Sequence, residues 1–167
     1  LNSPFLEFNA SWFKRRVEIP LAAAVSIVLP FAHKKNELSP LYAQSMHRDF
    51  RGAWHFDTKF KPIEGIPLYF SWLRAVRNGQ RRIKRGLHIE VPVLVMSSDR
   101  SYFGTEWSEE LLRSDSVLNV EDIGRYARNL GPDVTYVQIR NGVHDLFLST
   151  HAAREAAFRA VFEWLRC

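Results

Sequence analysis

The second half of the chain alternates apolar runs with helix-like stripes. Val91-Pro92-Val93-Leu94-Val95-Met96 is continuous, apolar and rich in β-branched residues. Such a run suits a strand buried on both faces, as in a parallel sheet. Glu106 to Arg113 predicts a short helix. Asn119 caps a second helix, with Asp122 three residues on and Ile123, Tyr126, Ala127 and Leu130 on one face. Gly131-Pro132 ends it. Val134 to Ile139 is the next strand. Ser149 or Thr150 then opens a helix to the C-terminus, with Ala153, Ala156, Ala157, Ala160, Val161, Trp164 and Leu165 at helical spacing. Strand, helix, strand and helix of these lengths predict right-handed βαβ units.

The first half follows another pattern. Leu1 to Phe5 reads as the tail of a strand. Ala10 to Leu29 reads as helix with a break or kink near Pro20. Ser39-Pro40 opens a short helix, since Pro fits the first helical position. Arg51 to Gly65 is irregular. Ile66 to Arg85 predicts a long helix with Leu68, Trp72, Leu73 and Val76 on one side. The expected organisation is the end of a core strand over 1–9, a helical lid or cap over 10–88, and an α/β core over 89–167.

Composition narrows the class. The 167 residues are 46% hydrophobic and 25% charged, enough for a packed core and unlike a disordered or collagen-like chain. A single cysteine, Cys167, excludes a disulfide framework and a cysteine-based zinc site. The opening residues lack the basic and apolar regions of a signal peptide. The longest apolar stretch, Ile19 to Ala32, is broken by Pro20 and Pro30 and falls short of the roughly twenty residues of a membrane span. A soluble, cytoplasmic protein is expected, one whose chain begins inside something larger. The net charge of +5 is uneven: residues 1–90 carry +8 and residues 91–167 carry −3. The aromatics Trp12, Phe13, Trp54, Phe56, Phe60, Tyr69, Phe70 and Trp72 also fall in the first half.

Ligands in open α/β sheets bind at the carboxyl ends of the strands. After Ile139 comes Arg140-Asn141-Gly142-Val143-His144-Asp145. A glycine turn there presents His144 as a general base, or as a loop histidine that caps the last helix. Two aspartates could orient its imidazole. Asp99 stands at the strand end, where it could instead pair with Arg100. Asp115 lies beyond a short insert, where it could instead cap a helix.

These residues resemble the C-terminal half of an α/β-hydrolase of the serine aminopeptidase and monoacylglycerol-lipase-like group. Leu1-Asn2-Ser3-Pro4-Phe5 is similar to the end of the family's sixth strand. Val91 to Val95 resembles the seventh and Val134 to Ile139 the eighth, with the lid between. The family's acid stands in Asp-x-Val/Leu before a helix, and Gly-x-x-His follows some thirty residues later. Asp115-Ser116-Val117-Leu118 and Gly142-Val143-His144 are similar, with Gly142 one residue closer to the histidine. The resemblance implies an α/β fold comprising the last parallel strands, their flanking helices and a lid. It implies His144 as base and Asp115 as acid, with Asp99 the alternative acid.

The family's nucleophile lies in Gly-x-Ser-x-Gly. That pattern occurs nowhere in the chain, and Ser3, Ser97 and Ser98 have other settings. The resemblance therefore implies serine-hydrolase chemistry on an ester or lipid-like substrate, with the serine supplied by an N-terminal half. The chain alone is expected to be inactive. Phe5 and Trp54 are the candidate substrate-contacting aromatics. No cofactor and no metal are called for.

Two rival classes remain. Arg74, Arg77, Arg81 and Arg85 fall near one helix face, with Arg82 and Lys84 beside them. That face is either solvated or a contact for an anionic membrane surface. No nucleic-acid fold motif accompanies it, so no nucleic-acid partner is expected. The other class is a non-catalytic binding or assembly module, forming a homo-oligomer through an exposed sheet edge.

Overall fold

The computed structural model describes residues 1–35 and 39–166. Cys167 lies outside them. In the first half, a π-helical turn at Lys14–Glu18 runs into α1 (Ile19–Val25). Then come β1 (His33–Lys34), α2 (Leu41–Met46), β2 (Leu68–Tyr69) and α3 (Phe70–Arg85). The second half holds β3 (Val93–Ser98), α4 (Val120–Ala127), β4 (Val134–Ile139) and α5 (His151–Trp164). Single 3-10 turns stand at Glu109–Leu112 and Leu146–Leu148.

β3 and β4 pair in parallel, from Val93 opposite Val134 to Ser98 opposite Ile139. The crossover between them contains α4, because parallel strands cannot be joined by a tight turn. The other edge of β3 takes up Asn2 in a parallel bridge. Ser3 N donates to Met96 O at 2.8 Å, and Met96 N donates to Leu1 O at 2.9 Å. β3 is therefore flanked on both sides, and Leu94 to Ser98 are buried.

Alternation along β3 separates two cores. Val95 packs with Leu118, Ile123, Ala127 and Leu130, the side of the sheet covered by α4. Leu94 and Met96 pack with Ile139, Leu146, Ala153 and Ala157, the side covered by α5. The small Ala153 and Ala157 let α5 approach the sheet closely. A third cluster, Phe8, Ile19 and Leu73, joins the chain after the Asn2 strand to α1 and α3.

Several expectations change. Of the expected break or kink near Pro20, the helix shows no break; it widens by one turn just before Pro20. Pro20 has no N–H for the Arg16 carbonyl, and the Ile19 N–H reaches Lys14 O across the wider turn. The helix expected from Ile66 begins only at Phe70, because Leu68 and Tyr69 pair antiparallel with Lys34 and His33. Within it Trp72 is 47% exposed, while Leu73 is buried. Residues Glu106 to Arg113 form only the short 3-10 turn. Asn119 does cap α4, accepting from Glu121 N at 2.9 Å. Asp122 forms no capping box. It pairs with Arg15 at 2.9 Å and Arg125 at 3.6 Å. Leu165 lies past the end of α5 and is exposed.

No helix among the described residues is long and apolar enough to cross a membrane.

Candidate active site

Both loops of interest leave the carboxyl ends of the parallel strands. After β3 the chain makes one further strand-like bridge, Ser101 opposite Asp115. Asp115 N donates to Arg100 O, and Tyr102 N donates to Asp115 O. This brings the residue after the insert back beside the end of β3. The Asp115 side chain is fully buried. Its Oδ1 accepts from Val117 N at 2.8 Å and Leu118 N at 2.7 Å. Those two amides fix the carboxylate plane, and Oδ2 is left facing the next loop.

That loop leaves β4 through a tight turn, with Gly142 N donating to Ile139 O at 3.1 Å. Asn141 holds φ +58°, a left-handed conformation that Asn tolerates better than most residues. His144 Nδ1 then lies 2.9 Å from Asp115 Oδ2, with 24% of the imidazole exposed. Asp115 and His144 are 29 residues apart in the chain. A neutral imidazole that donates Nδ1–H to this carboxylate keeps its lone pair on Nε2. The pair can thus take a proton at Nε2 and stabilise the resulting cation.

Asp99 has different partners. Its Oδ1 accepts from Asn141 N at 2.9 Å and its Oδ2 lies 3.4 Å from the Arg100 guanidinium. Arg100 also donates to Asn141 Oδ1 at 3.0 Å. Asp99 therefore holds the turn that presents His144. Ser149, expected as a helix cap, also serves this turn: its hydroxyl accepts from Val143 N at 2.9 Å. Thr150 is the N-cap of α5 and makes no side-chain cap bond.

Three groups gathered at Asp145, beside His144, carried no signal in the sequence. The Tyr42 ring stands edge-on to the imidazole, with centroids 5.8 Å apart. Its hydroxyl donates to Asp145 Oδ2 at 3.4 Å. Lys61 Nζ lies 3.8 Å from the same oxygen, and Asn2 donates to Asp145 Oδ1 at 3.2 Å. Burial, then the charges of Asp145 and Asp115 and the bond to Asp145, push the Tyr42 phenol far above its ordinary value. It stays a neutral donor. No periodicity or spacing links residues 2, 42 and 61 to 144. Only the adjacency of Asp145 to His144 was there to be read.

The aromatic candidates have packing partners. Phe5 makes an edge contact with Phe8 and stacks on Trp72 at 6.2 Å. It borders two of the hydrophobic clusters. Trp54 donates its indole N–H to Leu148 O at 2.6 Å, under the Arg154 guanidinium. It ties the irregular segment to the 3-10 turn just after His144. Ser97 is buried, with its hydroxyl engaged by Ser98 O and the Tyr136 hydroxyl. Ser98 accepts from Arg100 N at 3.4 Å. Ser3 holds φ +38° and its buried hydroxyl has no hydrogen-bond partner; nothing in the structure explains this. A depression of about 410 Å³ is lined by Asp99, Arg100 and Phe103, and His144 is not among its walls. Among the described residues, no cluster of three His, Cys, Asp or Glu side chains could hold a metal ion.

On α3, Arg74, Arg81, Arg82 and Arg85 are exposed, Arg77 is half-buried, and Lys84 pairs with Glu7.

No protein-family model matches the chain, and no curated protein matches it. Solved structures do. One is the monoacylglycerol lipase of Paleococcus ferrophilus, with TM-score 0.65 and 19% identity, over 98% of this chain and 56% of that one. Another is a soluble variant of the monoglyceride lipase of Saccharomyces cerevisiae in complex with a substrate analogue. It has TM-score 0.62 and 14% identity, over 99% of this chain and 54% of that one. The chain spans little more than half the length of each. These likenesses show the fold: it matches part of the α/β-hydrolase fold.

Proposed function

We propose that the chain carries the base and the acid of a serine hydrolase acting on ester or lipid-like substrates. The nucleophile comes from outside these residues, as the absence of Gly-x-Ser-x-Gly requires. The observation that supports this best is the His144–Asp115 pair at 2.9 Å, with the carboxylate wholly buried and pinned by two amides. The structural neighbours, a monoacylglycerol lipase and a monoglyceride lipase, favour the substrate class. In this reading residues 1–9 end a core strand, 10–88 form a lid and 89–167 complete the core.

The steps follow from the geometry. His144 Nε2 removes the serine proton as the oxygen attacks the acyl carbonyl. The imidazolium donates its Nδ1–H to Asp115, which holds the ring and stabilises its charge. Nε2 then delivers the proton to the leaving alcohol. Water, activated by the same nitrogen, releases the acid and frees the serine.

A fluorophosphonate probe tests the assignment. It should label a longer product that joins this chain to a strand–Gly-x-Ser-x-Gly–helix segment, and His144→Ala should remove that labelling. Labelling of the 167-residue chain alone would sink the proposed absence of a nucleophile. Undiminished labelling of the His144→Ala product would sink the base.

A second reading has its own observation. Phe13, Val17 and Leu21 are 54%, 42% and 63% exposed. Spaced by four, they share a side of the helix away from the buried Ile19 and Ala23. Ile27, Val28, Leu29 and Phe31 continue this exposed apolar surface. A helix apolar on both faces is an unpartnered one. The surrounding first half carries +8, which favours an anionic bilayer as its cover. In flotation with phosphatidylserine vesicles at low salt, the chain should bind. The triple change of Phe13, Val17 and Leu21 to Ser should weaken binding about tenfold or more. No flotation, or self-association through a sheet edge in place of it, would discard the bilayer.

A further inference from the structure

The carboxylate next to the proposed base has three partners from three distant parts of the chain. Asn2 holds one oxygen of Asp145, while Tyr42 and Lys61 approach the other. Two of the three come from the first-half helical region. Lys61 is itself placed by two rings, with Nζ 5.4 Å from the Tyr42 centroid and 5.3 Å from that of Phe56. The Tyr42 ring completes the set by standing at 80° to the imidazole.

This cluster answers a mechanical need. The turn before His144 contains a non-glycine residue at φ +58°, a conformation that surrounding contacts must hold. Asp99 and Ser149 hold it from the sheet side, through Asn141 N and Val143 N. Just after His144 the backbone is held by Leu146, which is buried in the sheet core and donates its N–H to Asn2 Oδ1 at 3.3 Å. The Asp145 side chain adds an anchor between the two, and its partners Tyr42 and Lys61 belong to the proposed lid.

We propose that Tyr42 and Lys61 are positioning residues: acting through Asp145, they hold the His144 turn so that the imidazole stays on Asp115. The inference rests on the reading of His144 and Asp115 as the working pair. It adds that the lid region sets the readiness of the base. Tyr42 does so as a neutral donor and as an edge that limits rotation of the ring.

The test needs no turnover. The Nδ1 proton of the His144–Asp115 bond gives a far-downfield proton resonance, whose exchange with water reports how often the bond opens. The wild-type chain should show it, and Asp115→Asn should remove it. Tyr42→Phe keeps the ring and drops the hydroxyl. Lys61→Met keeps the stem and drops the charge. Tyr42→Phe should speed the exchange about tenfold, since it removes a hydrogen bond to a carboxylate, and Lys61→Met about two- to threefold, since that ion pair is long and partly exposed, with the melting temperature little changed in both. Tyr42→Ala should lose the resonance, and if that variant does not fold the two milder ones decide. Unchanged exchange in both milder variants, with the resonance lost in Asp115→Asn, overturns the positioning role alone. A resonance that survives Asp115→Asn, or is absent from the wild type, overturns the underlying pair as well.

Discussion

Replacing Asp115 with Asn is expected to lower ester turnover about 10⁴-fold, with KM little changed. The geometry says why. Val117 N and Leu118 N both need an acceptor where Oδ1 now sits. The carboxamide oxygen must take that place, so the NH₂ group faces His144. Nδ1 must then accept, the ring proton moves to Nε2, and the nitrogen that should take the serine proton no longer can. Asp99→Asn is the control. Its carboxamide oxygen can still accept from Asn141 N, so the turn is kept and the loss should stay within about tenfold. Steady-state kinetics of the serine-containing product measure both. A large loss in Asp99→Asn and a small one in Asp115→Asn would reverse the assignment of the acid.

Leu146→Ala should give a large loss of stability, about 3 kcal/mol, or a melting temperature lower by about 6–12 °C. Leu146 is fully buried among Leu94, Met96, Ile139, Ala153 and Ala157. It also packs directly beneath the histidine turn. A Cβ added at Gly142 would meet Leu146 Cδ2 at 2.6 Å, so the two pack against each other closely. Truncation therefore opens a cavity under the residues that aim His144. Calorimetry reads the loss, and a shift below about 2 °C would mean that the neighbours refill the space.

The parts of this fold legible in the sequence are those where one local rule decides. The apolar run Val91 to Met96 marks β3 because its centre is buried on both faces, but the strand itself is Val93–Ser98, two residues further on, with Val91 exposed. Asn119 marks the start of α4 because its side chain is the cap. His144 could be read because a strand, a turn and a histidine follow each other directly. The choice between Asp99 and Asp115 could not be read from local pattern, since both follow β3. It depends on the bridge from Ser101 to Asp115, which folds the insert back. β2 was hidden for a similar reason. Leu68 and Tyr69 have helix-compatible neighbours, and only their pairing with β1 overrides that preference. Tyr42, Lys61 and Asn2 were illegible because their roles exist only once separate segments meet.

The edge of β3 occupied by Asn2 bears on the order in which the molecule assembles. β3, α4 and β4 are near neighbours in the chain and can find one another early. Leu1 meets Leu94 across 93 residues, and Asn2 meets Asp145 across 143. Closing loops of that length delays a contact far more than it weakens it, because the entropy cost grows only with the logarithm of length while the rate falls with contact order. By that argument the sheet and its two covering helices are expected to form before the Asn2 segment docks, and the Asp145 anchor only after it. Pulsed hydrogen exchange during refolding should then protect β3 and β4 before the histidine turn; simultaneous protection would discard this order.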